Sequence, residues 1–318
     1  MNSVRKLYEP SDLLDFSNLK VSKGLRPEGF RFFPFIYNIE STDGLLACGE
    51  ASSKELALTK AYAEWIERKV MSQYSQSHPE VINSNGWASH VDVESARENA
   101  IFERIERDGV LAQWYLRRPF LEMEVPFLSE WVKNELHTSE FPVLKVLLST
   151  EGLGPSVTCL LMNESGYGVS GHSSRVDLKT AVKSALAETC RAAHHALRKS
   201  YWKDTLCLRD RESVQVLPGA HAVYYVYHEP FPSWMFGEKL SFSAAGDLWK
   251  SQLDDFYATA YDTFLFHQVE SDPLVVGFAQ SDRCLDLHWG SKPRFQPQMK
   301  ARFGIEFEQM NLKPHIVS

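Results

Sequence analysis

The residues of this chain best suited to chemistry are glutamates that recur three residues apart, each pair followed at once by an arginine. The two complete runs are Glu64, Glu67 and Arg68, and Glu103, Glu106 and Arg107. Residues i and i+3 lie on one face of a helix, so each pair would present two carboxylates side by side. Such carboxylates repel each other unless a positive charge neutralises them. The pattern therefore favours a site for a divalent metal ion.

A third stretch keeps half of this pattern. Glu188 occupies the place of the first acid, and Arg191 stands where the second acid would be. A single glutamate pair before an arginine is common on a solvated helix face, where it has no further role. Three such runs in order, each in a largely apolar helix, favour a shared site instead. We predict that the three helices, at about 53–74, 93–116 and 177–200, converge on that site.

Strands and further helices are predicted around these three helices. Residues 31–40 and 44–50 read as a hairpin that leads to Ser52 and Ser53 as N-caps of the first helix. Residues 142–150 and 156–163 alternate as a second hairpin. The remaining elements are predicted as a helix at 127–137, a strand at 217–228, a helix at 243–256, and strands at 262–269 and 272–280. Since no linker interrupts them, we predict one α/β domain over residues 1–318.

The composition is that of an ordinary globular protein, with 44% hydrophobic and 24% charged residues. The formal net charge of -7 argues against nucleic acid or an anionic membrane surface as a general partner. The five cysteines stand singly, without the CxxC spacing of a zinc or redox site, which indicates a reducing compartment. The N-terminus is too polar for a signal peptide, and no apolar run reaches the length of a membrane span. We therefore predict a cytoplasmic protein.

Three segments carry a resemblance to a known family. They read ACGEASSKELALTKAYAEWIERKV, NSNGWASHVDVESARENAIFERIERDGVLAQW and GYGVSGHSSRVDLKTAVKSALAETCRAA. Together they resemble the YcaO family, and the resemblance covers most of residues 30–200. Its most specific part is the SNG sequence at 84–86, followed seventeen residues after the glycine by ERIERDG. The resemblance implies an α/β (α+β) fold in which mixed β-sheets carry three acidic helices around a cavity for ATP and Mg²⁺.

The reaction implied by this resemblance is ATP-dependent. Members of the family phosphorylate the oxygen of a peptide backbone amide, so that a nearby nucleophile adds and phosphate leaves. The commonest outcome is cyclodehydration of Cys, Ser or Thr to azolines, and thioamide or amidine formation are the alternatives. The implied substrate is a ribosomally made precursor peptide. A partner protein that presents this peptide is also expected, and a homodimer is compatible with the prediction.

The resemblance also assigns roles to individual residues. As Mg²⁺ ligands, direct or through water, it implies Glu64, Glu67, Glu103, Glu106 and Glu188. As residues that contact the nucleotide or orient those glutamates, it implies Ser84, Asn85, Arg68, Arg107, Arg191 and His172. Magnesium prefers oxygen ligands and is usually shared between a few carboxylates and substrate phosphates, which suits this set. No GxxxxGK[ST] sequence is present, so ATP binding through a P-loop is excluded. The resemblance does not assign a catalytic residue.

The chain departs from the family's pattern in several places. His90-Val91 stands where members usually have Gly-Asn, and Ser95 replaces the second acid of a Glu-Glu-Ala sequence. His90 and Glu94 are the residues placed to compensate. Pro314-His315 is a candidate remnant of the proline-rich C-terminal tail found in many azoline-forming members.

These departures leave two further hypotheses open. One is a non-catalytic member that binds nucleotide or peptide and supports a partner enzyme. It predicts ATP binding without peptide-stimulated hydrolysis. The other is a metal-dependent hydrolase that uses the glutamates with His90 or His172, and it predicts turnover without ATP.

Overall fold

The structure is a computed structural model of the 318-residue chain. It describes residues 19–24, 35–78, 84–128, 140–196, 220–269, 274–286, 296–311, 313 and 315–317. The chain forms two compact units. Unit 1 comprises Met1–Ile101 and Phe266–Gln280, and unit 2 comprises Phe102–Leu265 and Ser281–Ser318. The assignment of residues 1–318 to a single domain stays a prediction.

The described part of unit 1 contains two small sheets, a long helix and the start of a second helix. The first sheet is antiparallel, in the order β1 (Leu19–Lys23), β2 (Phe35–Ser41) and β3 (Leu46–Ala51). The second sheet has the order β10 (Leu265–Val269), β11 (Val275–Gln280) and β4 (Trp87–His90). Helix α1 (Lys54–Ser77) packs on β2 and β3. The core of this unit gathers aromatic and aliphatic side chains such as Trp65, Ile66, Trp87 and Phe278.

Unit 2 is built on one five-stranded sheet. Its order is β8 (Gly168–Ser173), β7 (Ser156–Met162), β6 (Val143–Ser149), β5 (Phe120–Glu124) and β9 (Phe236–Ser241). Neighbours pair antiparallel, except that β5 and β9 run parallel. Helix α3 (Leu178–Ala196) packs on β7 and β8. Helices α4 (Ala220–Tyr227), α5 (Phe242–Thr259) and α6 (Gln296–Phe303) complete the described part of this unit.

Helix α2 (Val93–Tyr115) contributes residues to both units. Like the two other acidic helices, α1 and α3, it begins after an N-cap residue. Ser53 accepts a hydrogen bond from the Leu56 N–H at the start of α1. Asp92 accepts one from the Ser95 N–H before α2, and Asp177 accepts one from the Thr180 N–H before α3. These caps satisfy N–H groups that have no partner within the helix. The predicted helices at 53–74 and 93–116 are thereby confirmed to within a few residues, and the third is confirmed as far as Ala196.

Two glycines let the acidic helices lie directly on their strands. A methyl group at Gly49 would lie 2.0 Å from the Ala57 carbonyl oxygen, and one at Gly171 would lie 2.3 Å from the Thr189 nitrogen. Both obstacles are helix backbone, which cannot rotate away as a side chain can. Glycine is therefore required where β3 meets α1 and where β8 meets α3.

We expect Gly171→Ala to destabilise unit 2, because the added methyl group forces α3 away from β8. The expected loss is about 1–3 kcal/mol of unfolding free energy. Gly246→Ala is the matched control, since no atom lies within 4 Å of the new methyl group in α5. That variant should be neutral or gain up to about 1 kcal/mol. Urea unfolding of both variants measures the difference, and equal stability would contradict the packing argument.

One secondary-structure prediction was wrong. The stretch 217–228 was predicted as a strand, but residues 220–227 form helix α4. Tyr224 and Tyr225 are both buried, and the Tyr225 ring lies 5.7 Å from the Trp114 ring in an edge contact. A short apolar run does not show by itself whether its period is that of a helix or of a strand. Tertiary packing of α4 on β8 and α3, with the ring contact to Trp114, favoured the helix.

The other predicted elements agree with the structure where it describes them. Hairpins β2–β3 and β6–β7, helix α5, and strands β10 and β11 are confirmed. Of the helix predicted at 127–137, residues 129–137 lie outside the described residues, and Pro126–Leu128 forms one 3₁₀ turn. The mixed α/β fold class is confirmed.

Candidate functional site

The first acid of α1 is tied to the neighbouring strand. Glu64 Oε2 accepts a hydrogen bond from the Cys48 N–H at 3.0 Å, and Glu64 Oε1 accepts one from Arg68 Nη2 at 2.6 Å. Arg68 in turn donates to the Leu46 carbonyl oxygen at 2.8 Å. Glu64 and Arg68 therefore help to fasten α1 to β3. Glu67 lies half-buried one turn further along the same helix.

Ser84 and Asn85 lie in the turn before β4. Ser84 is exposed, whereas Asn85 is fully buried. Gly86 closes the turn with a φ of 77°, and its carbonyl oxygen accepts a hydrogen bond from the Ala279 N–H. The structure thus places these residues in unit 1, and their contact with nucleotide stays a prediction.

Unit 2 gathers the other predicted site residues into one charged cluster. Its members from the prediction are Glu103, Glu106, Arg107, Glu188, Arg191 and His172. Arg107 Nη1 lies 3.3 Å from Glu106 Oε1, and Arg191 Nη2 lies 4.0 Å from Glu188 Oε1. Arg175, which the sequence did not single out, adds its charge to the cluster near Glu106. Helices α2 and α3 and the segment before α3 therefore bring three carboxylates and three guanidinium groups close to one another.

Burial and like charge perturb the acids of this cluster. Burial raises the pKa of Glu103 to about 8, against the attraction of Arg107. Burial likewise raises the pKa of Glu106 to about 7. Burial acts in the same direction on Glu188, but Arg107 and Arg191 outweigh it and lower the pKa of that carboxyl. A cation bound beside Glu103 and Glu106 would favour their ionised forms.

The cluster also contains polar atoms suited to ligands. In the described part of the chain, Glu103 Oε2 and two guanidinium nitrogens of Arg107, Nε and Nη1, are buried without a hydrogen-bond partner. A carboxylate oxygen of this kind suits Mg²⁺, and guanidinium N–H groups suit phosphate. Among the described residues, no three His, Cys, Asp or Glu side chains are grouped so that they could hold a metal ion alone. In proteins, Mg²⁺ usually shares its coordination between a few carboxylates, phosphate and water.

His172 holds Glu188 through its backbone. The His172 N–H donates to Glu188 Oε2 at 2.8 Å, as the Cys48 N–H does to Glu64. The His172 ring is buried, with Nδ1 2.9 Å from the Thr158 hydroxyl and Nε2 3.1 Å from the Ile316 carbonyl oxygen. Burial lowers the pKa of this ring to about 4. Both ring nitrogens are thus engaged by protein atoms, and a contact between His172 and nucleotide stays a prediction.

The last described residues of the chain belong to this neighbourhood. His315, Ile316 and Val317 are almost fully buried, and the Ile316 carbonyl oxygen also accepts a hydrogen bond from the Ser170 hydroxyl at 2.5 Å. Pro314 lies outside the described residues. The sequence pointed to Pro314-His315 but gave no sign that Ile316 would meet His172, because only folding brings these distant residues together.

His90 and Glu94 are the residues proposed to compensate for the departures from the family pattern, and both lie at or next to the start of α2. His90 Nδ1 lies 2.9 Å from Asp92 Oδ2, and Asp92 is the N-cap of α2. Glu94 is exposed in the first turn of that helix. His90 therefore supports the start of α2, and a ligand role for Glu94 stays a prediction.

A buried aspartate that the sequence analysis missed anchors α2. Asp108 is fully buried and accepts hydrogen bonds from the N–H groups of Leu153 and Leu285, each at 2.8 Å. Both of its oxygens also accept from the Arg302 guanidinium group. Two signals were available beforehand: Asp108 lies in the ERIERDG segment of the family resemblance, and an aspartate in the interior of a helix has a low intrinsic helix propensity. Asp108 fixes the helix that carries Glu103, Glu106 and Arg107.

A family model described as YcaO cyclodehydratase, ATP- and Mg²⁺-binding, matches residues 70–276. This span is more than half of the chain. The chain belongs to the YcaO family. The ATP and Mg²⁺ predicted from the sequence are the ligands that the family's description names, so that prediction is confirmed at the level of the family. A search of curated proteins found no significant match.

Solved structures share the fold of this YcaO protein. YcaO from Methanopyrus kandleri bound with AMPPCP and Mg²⁺ has a TM-score of 0.61 at 13% identity, over 88% of this chain and 89% of that one. A heterocyclase in complex with substrate and cofactor has a TM-score of 0.64 at 13% identity, over 98% of this chain. The present chain covers 56% of that heterocyclase. Such low identities establish the fold alone.

A third solved structure is a component of an enzyme complex. A chain of the E. coli microcin synthetase McbBCD complex with pro-MccB17 bound has a TM-score of 0.53 at 13% identity. The match covers 83% of this YcaO protein and 88% of that chain.

No helix in the described part of the present chain is both long and apolar enough to cross a membrane.

Proposed function

We propose that this YcaO protein binds ATP with Mg²⁺ and phosphorylates the oxygen of a backbone amide in a ribosomally made peptide. The observation that carries the proposal is the buried cluster of unit 2, in which Glu103 Oε2 and the Arg107 guanidinium have unused bonding capacity. Buried carboxylate and guanidinium atoms without hydrogen-bond partners are unfavourable, whereas Mg²⁺ would satisfy Glu103 and phosphate would satisfy Arg107. Membership of an ATP- and Mg²⁺-binding family supports the same reading.

Each residue of the cluster has a part in this proposal. Glu103, Glu106 and Glu188 would hold Mg²⁺ directly or through water, and Arg107 would contact a phosphate oxygen. Bound Mg²⁺ would neutralise the phosphates and so support phosphoryl transfer, which depends mainly on positioning and charge. The hydrogen bond from the His172 N–H orients Glu188. In unit 1, Glu64, Glu67, Arg68, Ser84 and Asn85 keep the roles that the resemblance gives them.

Azoline formation from Cys, Ser or Thr is the outcome we place first. It is supported by the family description as a cyclodehydratase and by structural likeness to a heterocyclase. Thioamide or amidine formation would use the same activated amide with a different nucleophile. Because one solved structure with a similar fold is part of a complex with pro-MccB17 bound, we also propose a protein partner that presents the peptide.

Calorimetric titration of ATP into the purified protein, with and without Mg²⁺, tests the proposal. We expect binding that strengthens at least about tenfold when Mg²⁺ is present, because the phosphates of ATP and the cluster's carboxylates repel each other at short range unless a cation lies between them. AMPPCP in place of ATP separates binding from hydrolysis. Absence of binding under all these conditions would overturn the proposal. Binding without hydrolysis, with peptide and partner present, would favour a non-catalytic member.

A further inference from the structure

Helix α3 differs in charge from the two other acidic helices. In α1 and α2 a second glutamate stands three residues after the first, whereas in α3 Arg191 stands three residues after Glu188. A glutamate offers oxygen ligands to Mg²⁺, but a guanidinium group has only N–H donors and cannot bind a metal ion. The face of α3 that bears Glu188 therefore offers one carboxylate and one permanent positive charge.

Arg191 is close enough to act within the cluster. Its Nη2 lies 4.0 Å from Glu188 Oε1, and its side chain is 34% exposed. Its positive charge attracts the Glu188 carboxylate, which lowers the pKa of that group, and repels the Arg107 guanidinium group. An anion that contacts Arg107 would therefore also experience the charge of Arg191. Guanidinium groups bind phosphate oxygens well, often with two parallel hydrogen bonds.

The charge balance of the cluster depends on residue 191. Its members are the carboxylates of Glu103, Glu106 and Glu188 and the guanidinium groups of Arg107, Arg175 and Arg191. When Glu103, Glu106 and Glu188 are all ionised, which a bound cation would favour, these three negative and three positive charges cancel. A glutamate at position 191, as the other two helices would suggest, would leave four negative charges against two. This excess of two negative charges has the same magnitude as the charge of one Mg²⁺ ion.

We propose that the positive charge of Arg191 substitutes for one Mg²⁺ ion at this cluster. ATP therefore binds together with one metal ion fewer than it would if residue 191 were a glutamate. This inference rests on the proposed function, since it concerns how ATP is bound. Arg191 is then a residue that determines the metal requirement of the site. It contributes to nucleotide affinity most when free Mg²⁺ is scarce.

The test is calorimetric titration of ATP at a series of buffered free Mg²⁺ concentrations. The slope of log affinity against log free Mg²⁺ reports the number of metal ions taken up with the nucleotide. Comparing slopes between variants removes the contribution of Mg²⁺ bound to free ATP. We expect Arg191→Glu to raise the slope by about one and to lower affinity at low Mg²⁺ by about tenfold or more. Arg191→Lys should keep the original slope, because it keeps the charge.

Two further variants keep the test decisive. Arg191→Gln removes the charge without adding an acid, so its affinity should fall more at low than at high Mg²⁺ even if Arg191→Glu fails to fold. Lys183→Gln removes a positive charge from an exposed position of α3 and should leave the slope unchanged. Equal slopes for the unmodified protein and Arg191→Glu, or an equal effect of Lys183→Gln, would overturn the inference. Absence of ATP binding by the unmodified protein at every Mg²⁺ concentration would overturn the proposed function as well.

Discussion

Replacing Glu106 by glutamine should lower ATP turnover by about a hundredfold or more, measured as phosphate release with the peptide substrate. Glu106 is 6% exposed and lies 3.3 Å from Arg107, at the centre of the cluster in unit 2. Glutamine keeps the size of the side chain but loses its charge, so it binds Mg²⁺ more weakly and no longer balances Arg107. The protein should remain folded, because Arg107 keeps the neighbouring charges of Glu103 and Glu188 and glutamine fills the same space.

Three further glutamine variants define the site. Glu103→Gln and Glu67→Gln should also reduce turnover strongly, since both acids are proposed metal ligands. Glu98→Gln is the matched control, because Glu98 lies on the same helix as Glu106 but is exposed. We expect its turnover to be unchanged. Full activity of Glu106→Gln and Glu67→Gln would remove the proposed assignment of the metal ligands.

Asp108→Ala should destabilise the protein by about 3–5 kcal/mol, because it leaves a buried guanidinium group without its partner. Arg302 is held by both oxygens of Asp108, and its side chain is only 14% exposed. The substitution also removes the acceptor of the Leu153 and Leu285 N–H groups, which lie in separate segments. Thermal or urea unfolding measures the loss.

A surface ion pair on the same helix as Arg302 serves as the control. Lys300 Nζ lies 2.5 Å from Glu306, and the Lys300 side chain is well exposed. Lys300→Ala should leave the unfolding midpoint unchanged within error, since solvent screens exposed pairs. If Asp108→Ala were as stable as Lys300→Ala, the buried pair would not be the anchor of α2 that the structure indicates.

The predictions for Glu106→Gln and Asp108→Ala concern side chains of α2 with different surroundings. On α2, Glu103, Glu106 and Arg107 belong to the charged cluster, while Asp108 joins the helix to α6 and to the segments after β6 and β11. We therefore expect Glu106→Gln to affect turnover with little change in stability. Asp108→Ala should affect stability first, and turnover only as far as the position of α2 changes.

The sequence predicted the parts of this protein that depend on local pattern. The acidic helices follow from apolar residues at helical spacing and from capping residues such as Ser53. The three-residue spacing of Glu103 and Glu106, and of Glu188 and Arg191, placed each pair on one helical face. The three glutamate and arginine runs, in their order along the chain, were enough to indicate the family. Residue types and their spacing can be read directly from the sequence, without knowledge of the tertiary structure.

Only the tertiary structure decided which of these residues meet and how they are held. Residues 220–227 form a helix that packs on β8 and α3 and contacts Trp114 through Tyr225. Glycine is needed at position 171 because α3 lies directly on β8. The contact between His172 and the Ile316 carbonyl oxygen joins residues 144 positions apart. The physical reason is that burial and the pairing of buried charges are non-local, so composition and periodicity could predict a charged cluster but not its partners.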